Sequence, residues 1–192
     1  MQTVELKHAY RLLNHGPTVL VGSQHAGRSN VMAAAWAMPL DFDTPKIAVV
    51  IDKSTLTREL VDASGVLSLC VPCVAMKDLV MAAGGMSGKN HTDKLTRCHI
   101  TTQPAPQTGV PLVEGSIAQM ECRVLPATAH VAGPHDLILA EVIGAWADER
   151  VFSDGRWHFE DAPAELRSLH HVAGGHFYAI GEPVRALPVV NA

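Results

Sequence analysis

Residues 18–36, TVLVGSQHAGRSNVMAAAW, contain the pattern that decides the fold. Thr18–Ser23 is a compact apolar run, and Ser29–Trp36 is a second one. The turn Gln24–Gly27 lies between them and supplies the glycine that a tight reversal favours. Two apolar runs joined by a short turn predict an antiparallel β-hairpin.

Other apolar runs continue the pattern around this hairpin. Strands are expected at Lys46–Ile51, Val66–Val71, Ser116–Ala129 and Asp136–Asp148. Helical spacing of apolar residues predicts short helices over Ser54–Ala63 and Lys77–Ala83, and the polar segment Met86–Thr96 is expected to be a loop. Many strands with few helices predict a mainly β protein, a closed or nearly closed antiparallel barrel. Neither a βαβ rhythm nor G-x-G-x-x-G after a strand is present, so a Rossmann domain is not expected.

Composition excludes several other classes. The chain has 192 residues, which suits one domain, and its 47% apolar and 18% charged residues are typical of a globular protein. A net charge of −4 argues against nucleic acid as a partner. No apolar stretch approaches the roughly 18 residues of a membrane helix, and the N-terminus lacks the apolar core of a signal peptide. A cytoplasmic protein without membrane contact is expected.

A candidate anion site lies where a strand turns into a helix, at Asp52–Glu59. Ser54 is a suitable N-cap, and the first turn of a helix has unpaired backbone N–H groups. Thr57 stands where a capping box would have Glu or Gln, and Lys53 and Arg58 add positive charge. This combination favours phosphate. The alternative is an ordinary capped helix with solvated charges.

The second strand of the hairpin offers a candidate surface for a flat ring. Because side chains alternate along a strand, Asn30, Met32, Ala34 and Trp36 share one face. That face is polar at one end, small in the middle and aromatic at the other. A heteroaromatic ring fits such a face, although Met32 and Trp36 are equally compatible with a plain core.

Together these features resemble the flavin reductase-like family, and within it the flavoredoxin branch. The resemblance extends over nearly the whole chain, through Leu12–Val21, Gly27–Met32, Trp36–Leu40, Lys53–Thr57, Ser87–Lys94, His135–Asp148 and His176–Gly181. It implies a homodimer of FMN-binding split β-barrels, with the flavin near the dimer interface.

The resemblance also implies which residues contact FMN. With Lys53 added from the charge argument, the cofactor-binding set is Asn30, Met32, Ala33, Ala34, Trp36, Lys53, Ser54, Thr57, Lys94, His135 and Phe177. Asn30 and the Met32–Ala34 backbone are expected at the ring and ribityl groups, and Ser54 and Thr57 at the phosphate. The match at Phe177 is looser than the others.

The expected activity is that of an oxidoreductase that accepts hydride from NADH or NADPH and passes electrons on. The flavin carries this chemistry, so no protein acid or base is required and the catalytic residue stays unknown. His135 is the best candidate for handling a proton, with a purely structural histidine as the alternative. Two other functions stay open: an FMN electron carrier without nicotinamide turnover, and a non-catalytic flavin-binding module.

The cysteines leave one further chemistry open, and the histidines indicate none. Cys70 and Cys73 form a C-x-x-C that closes an apolar strand, so a redox pair and buried structural thiols are both open. The 11 histidines show no i, i+4 pairing of the kind that binds zinc, and no metal site is expected. No G-x-S-x-G is present, so a hydrolase is not expected.

Overall fold

The computed structural model describes residues 1–126 and 134–187, which form mainly strands with short helices between them. The strands are β1 (Gln2–Thr3), β2 (Val19–His25), β3 (Arg28–Ala34), β4 (Ala37–Phe42), β5 (Pro45–Val50), β6 (Val66–Val71), β7 (Thr102–Pro104), β8 (Pro111–Val113), β9 (Ala118–Val124), β10 (Leu137–Ala147), β11 (Phe152–Ser153), β12 (Arg156–Trp157), β13 (Leu169–Ala173) and β14 (His176–Ala179). The helices are α1 (Leu6–Ala9), α2 (Leu56–Ser64), α3 (Lys77–Gly85) and α4 (Lys94–Arg97), and short 3₁₀ segments lie at Tyr10–Leu12, Val74–Met76, Phe159–Asp161 and Ala164–Leu166.

Eight strands form one antiparallel sheet in the order β3-β2-β6-β9-β10-β5-β4, with β1 added beside β10. The two ends of this order, β3 and β4, follow each other in the chain but do not pair with each other within the described ranges. The sheet is therefore split at this point, and Trp36 lies in the connection. This is the mainly β, antiparallel split-barrel architecture that the sequence predicted.

The predicted hairpin is present as β2 and β3, in register from Val19 opposite Ala34 to His25 opposite Arg28. Its turn is shorter than expected, because only Ala26 and Gly27 lie outside the strands. Both have positive φ, 48° and 77°, which is the backbone of the two-residue turns that match the twist of a hairpin. Gly27 adopts this conformation without strain.

The remaining elements confirm most predicted segments and correct several boundaries. β6 has the predicted bounds, whereas β9 and β10 are shorter than expected, and positions 127–129 of the predicted strand lie outside the described residues. The predicted loop Met86–Thr96 is wrong at its end, because α4 begins at Lys94. Sequence reasoning missed β4, which contains Pro39. Proline is tolerated there because β4 is an edge strand.

All four cysteines are free and buried. Burial raises the pKa of Cys70 to about 11 and also raises that of Cys73, so both groups are protonated thiols near neutral pH. A thiol must lose its proton to act as a nucleophile, and these observations therefore favour the structural alternative for the C-x-x-C.

Within the described ranges, no helix is both long and apolar enough to cross a bilayer. No three His, Cys, Asp or Glu side chains from this part of the chain come together in a geometry that holds a metal ion.

Candidate functional site

A cavity of about 540 Å³ lies along β3 and is called here the ring cavity. One wall is β3 with the residues after it, a second is the end of α3, and a third is the β13–β14 hairpin. Five of the predicted cofactor residues line it: Met32, Ala33, Ala34, Trp36 and Phe177. The fold therefore brings the predicted strand face and the distant Phe177 to one site.

The ring cavity has an apolar lining. Methionine, valine, alanine and aromatic side chains dominate, and Asp52 is the one lining residue with a full charge in the described part of the chain. Trp36 is 75% exposed at its mouth, so this side of the cavity is open to solvent. An apolar cavity of this size accommodates a flat ring system.

A second cavity of about 270 Å³, called here the polar cavity, contains two more predicted residues, Asn30 and Lys94. Both are nearly inaccessible, with exposed fractions of 3% and 4%. Two links join it to the ring cavity. The first link is β3, where Asn30 of the polar cavity and Met32 of the ring cavity are two residues apart on one face. The second link is Lys94, whose Nζ donates at 2.7 Å to the carbonyl oxygen of Ala83, next to the part of α3 that lines the ring cavity.

Lys94 is the strongest electrostatic feature of the polar cavity. Burial lowers the pKa of its ammonium group. Its hydrogen bond goes to a backbone carbonyl, and it has no carboxylate partner in the part of the chain that the structure describes. A buried cation without a counter-ion is costly, so this site favours binding of an anion.

The start of α2 also lies at the polar cavity, through Leu56. Asn30 Nδ2 donates to Thr57 Oγ1 at 2.8 Å, and Thr57 is fully buried. Within the described ranges, the backbone amides of Leu56 and Thr57 have no intramolecular acceptor. Such free amides at the positive end of a helix are donors for phosphate.

The predicted N-cap is wrong by one residue. Thr55 caps α2, because its Oγ1 accepts from the Arg58 amide at 3.2 Å. The Ser54 amide instead donates to the Asp52 carboxylate at 2.7 Å, which makes a local turn before the helix. Asp52 and Thr55 thus leave Ser54 exposed in that turn.

The expected charge contribution of Arg58 is also corrected. Arg58 is buried, and its guanidinium contacts Asp62 at 2.9 Å and Asp136 at 3.3 Å. These carboxylates neutralise its charge, so it adds little to the field at the helix start. Two cationic or titratable side chains that sequence reasoning did not select, Arg28 and His91, line the polar cavity instead.

Four predicted residues line neither cavity in the described part of the chain, and one of them, Thr57, is joined to the polar cavity through its hydrogen bond with Asn30. Lys53 and Ser54 are exposed in the turn before α2, and His135 is exposed just after the 127–133 segment, which is outside the described residues. Their contact with a cofactor stays a prediction. The sequence could have indicated Arg28 and His91, because each lies inside a segment that carried the family resemblance.

Comparison with known proteins gives one consistent family. A family model described as "Flavin reductase like domain" matches residues 11–177. YddH of Escherichia coli K12, an uncharacterised protein, is 46% identical over 95% of this chain and 96% of its own length. The FMN reductase (NADH) RutF of Variovorax paradoxus is 28% identical over 83% of this chain and 86% of its own. The crystal structure of an FMN-binding domain of a flavin reductases-like enzyme from Shewanella baltica superposes with a TM-score of 0.94, at 48% identity, and covers 96% of both chains.

Proposed function

The chain belongs to the flavin reductase-like family, and from this we propose that it binds FMN and acts as an FMN-dependent oxidoreductase. One observation supports this most: an apolar cavity and an anion-attracting cavity adjoin along β3. FMN has a flat ring at one end and a phosphate at the other. A molecule with these two ends matches the two cavities in chemistry and in order.

Each end of the cofactor has its own set of residues. Met32, Ala33 and Ala34 form the floor for the ring, with Trp36 and Phe177 at its sides. At the other end, Asn30 orients Thr57, the free amides at the start of α2 donate to the phosphate, and Lys94 compensates its charge. Arg28 and His91 add two further donors to this end.

Bound FMN supplies two-electron chemistry, in which hydride comes from NADH or NADPH and electrons leave to an acceptor. The protein side chains bind and orient. The apolar lining shields the inner side of the ring from water, and the buried Lys94 ammonium stabilises negative charge on the cofactor. NADH is the donor in the name of the related RutF, which supports the choice of a nicotinamide donor here.

Anaerobic mixing of the FMN-loaded protein with NADH, and separately with NADPH, tests the proposed activity. Rapid loss of flavin absorbance with either donor is the expected result. Stable binding of FMN without bleaching would contradict nicotinamide turnover and favour an electron carrier or a non-catalytic flavin-binding module. A protein that gains no thermal stability from FMN contradicts both, since a ligand at 100 times its Kd stabilises by about 2.7 kcal/mol.

The phosphate assignment predicts a difference between two ligands. We also propose that the Ser54 and Thr57 hydroxyls donate to the phosphate, since Thr57 Oγ1 accepts from Asn30 and its own proton is free to donate. Replacing both residues by alanine is then expected to weaken FMN binding by about 30-fold, the effect of one or two charge-assisted hydrogen bonds. Riboflavin has the same ring without the phosphate, so its affinity should change much less. Isothermal titration of both ligands measures this, and equal losses for FMN and riboflavin would reject the assignment.

We further propose that the protein is a homodimer. Trp36 and the outward-facing residues of β4, Met38, Leu40 and Phe42, form an apolar β4 stripe with exposed fractions between 47% and 75%. The stripe lies on an edge strand and begins at the mouth of the ring cavity. A contiguous apolar surface of this kind is typical of an interface. Sedimentation analysis should give the dimer mass, and a monomer at micromolar concentration would contradict the proposal.

The cytoplasm is the proposed location. Four buried cysteines without a disulfide support it, because thiols stay reduced in that compartment.

A further inference from the structure

The β13–β14 hairpin is a separate two-stranded sheet that forms one wall of the ring cavity. His171, Gly174 and Phe177 are its lining residues. Apart from its first residue, Leu169, which is buried, the hairpin is partly or fully exposed. It therefore covers the cavity from outside and is not a part of the barrel core.

The hairpin is attached to the barrel mainly at its base. Thr18 donates its amide to the Leu169 carbonyl at 2.8 Å, and Ile180 donates to the Ser168 carbonyl at 3.1 Å. At the opposite end, a Cβ added to Gly174 or Gly175 would meet no atom of the described residues within 4 Å, so the tip is open on that side. An element fixed at one end with space around the other can move as a flap.

His171 connects the base of the hairpin to its tip. Its backbone amide donates to Thr18 Oγ1 at 2.8 Å, and Thr18 is buried at the edge of the same cavity. Its ring Nε2 lies 3.1 Å from the Gly174 carbonyl oxygen, and its ring packs edge-on against Phe177 with 5.3 Å between centroids. Since a carbonyl only accepts, Nε2 is the donor in this contact.

We propose that His171 is the positioning residue that fixes the tip of the β13–β14 hairpin and Phe177 at the wall of the ring cavity and so controls the exchange of its ligand. The Thr18 hydroxyl holds the His171 backbone, and the His171 ring holds Gly174 and Phe177. The identity of the ligand as FMN rests on the proposed function. The role of His171 within the hairpin does not rest on it.

Four variants separate the contributions of this side chain. His171→Ala removes the hydrogen bond to Gly174 and the ring contact, and His171→Phe keeps a ring but lacks the donor. His171→Gln keeps a donor at a similar distance from the backbone and is the rescue variant. His176→Ala is the matched control, because His176 is an exposed histidine of the same hairpin without a side-chain hydrogen bond to the described residues.

The first measurement needs no cofactor. Hydrogen–deuterium exchange of the hairpin amides in His171→Ala should be about fivefold faster than in the natural protein, the effect of one hydrogen bond. His171→Gln should restore most of the protection, and His171→Phe should not. Thr18→Val removes the acceptor for the His171 amide, and it should also make the hairpin amides exchange faster than in the natural protein.

The second measurement is the dissociation rate of FMN, followed by the rise of flavin fluorescence after dilution. His171→Ala should release FMN about fivefold faster, with His176→Ala unchanged. Equal effects of the two alanine variants on hairpin exchange, or equally faster exchange in the barrel strand β9, would overturn the inference. If the natural protein binds no FMN, the proposed function fails, and the exchange measurement still decides the role of His171.

Discussion

Replacing Gly22 by alanine is expected to lower the free energy of unfolding by about 3 kcal/mol or more, the upper part of the range for overpacking in a close-packed core. A Cβ at this position would lie 2.3 Å from the Pro111 carbonyl oxygen and 2.3 Å from Ser68 Oγ. Those two atoms are themselves hydrogen-bonded at 2.6 Å. Gly22 pairs with β3 on one side and with Ser68 of β6 on the other. The backbone at position 22 therefore cannot move away from the clash without disturbing the sheet.

Urea denaturation of the Gly22→Ala protein measures this effect. Gly85→Ala is the matched control, because its Cβ would meet no atom of the described part of the chain within 4 Å and it lies in the last turn of α3. Alanine is favoured over glycine in a helix, so the control should be as stable as the natural protein or slightly more stable. A loss below about 1 kcal/mol in Gly22→Ala would mean that β2 and β8 separate more easily than the structure indicates.

The buried His15 is expected to make the free energy of unfolding depend strongly on pH. It lies between the Tyr10–Leu12 segment and β2, and its two buried ring nitrogens have no hydrogen-bond partner within the described ranges. Its ring is surrounded by those of Trp157, Phe159 and His170, with centroids 5.2 to 5.7 Å away. An imidazole in such surroundings resists protonation.

Burial, helped by the nearby His170, lowers the pKa of His15 to about 4. In the unfolded chain a histidine titrates near its ordinary pKa of about 6.5. The unfolded state therefore binds a proton first as the pH falls. The contribution of His15 to stability is complete above pH 6.5 or so and is lost between there and pH 4, up to about 3 kcal/mol in total.

The variant His15→Phe isolates this contribution. Phenylalanine keeps an aromatic ring among Trp157, Phe159 and His170 and removes the titrating nitrogens. The decrease in unfolding free energy between pH 7 and pH 4.5 should be clearly smaller in His15→Phe than in the natural protein. The exposed His25 provides the control, and His25→Phe should keep the natural pH profile. Identical pH profiles for His15→Phe and the natural protein would show that His15 is accessible to protons in the folded state.

Much of the fold followed from local patterns. The two apolar runs at residues 18–23 and 29–36, with the turn at Gln24–Gly27 between them, predicted the β2–β3 hairpin, because strand composition and turn chemistry are properties of neighbouring residues. The strand-to-helix turn at Asp52–Glu59 was found for the same reason. The sequence did not predict which residue caps the helix. Thr55 and not Ser54 is the cap, because the Ser54 amide donates to the Asp52 carboxylate and the Arg58 amide donates to Thr55 Oγ1.

For the candidate site, too, the sequence indicated the residue types but not their arrangement in space. The residue types for an anion site and for a ring surface were visible in the chain, but their separation into two adjoining cavities was not. Arg28, Asn30, Leu56, His91 and Lys94 meet in the polar cavity only because β3, α2 and α4 pack together. The pairing of Asn30 with Thr57 is likewise a contact between segments 27 residues apart.

By itself, the sequence determined the class of fold, the hairpin at its centre and the chemical character of the proposed cofactor. These depend on periodicity, turn residues and side-chain chemistry, all of which act over a few residues. The tertiary structure alone decided that Arg58 is neutralised by Asp62 and Asp136, that Lys94 is buried without a counter-ion among the described residues, and that the His171 amide donates to the Thr18 hydroxyl. Burial and long-range pairing set each of these, because the energy of a charge or hydrogen bond depends on the solvent that surrounding segments exclude.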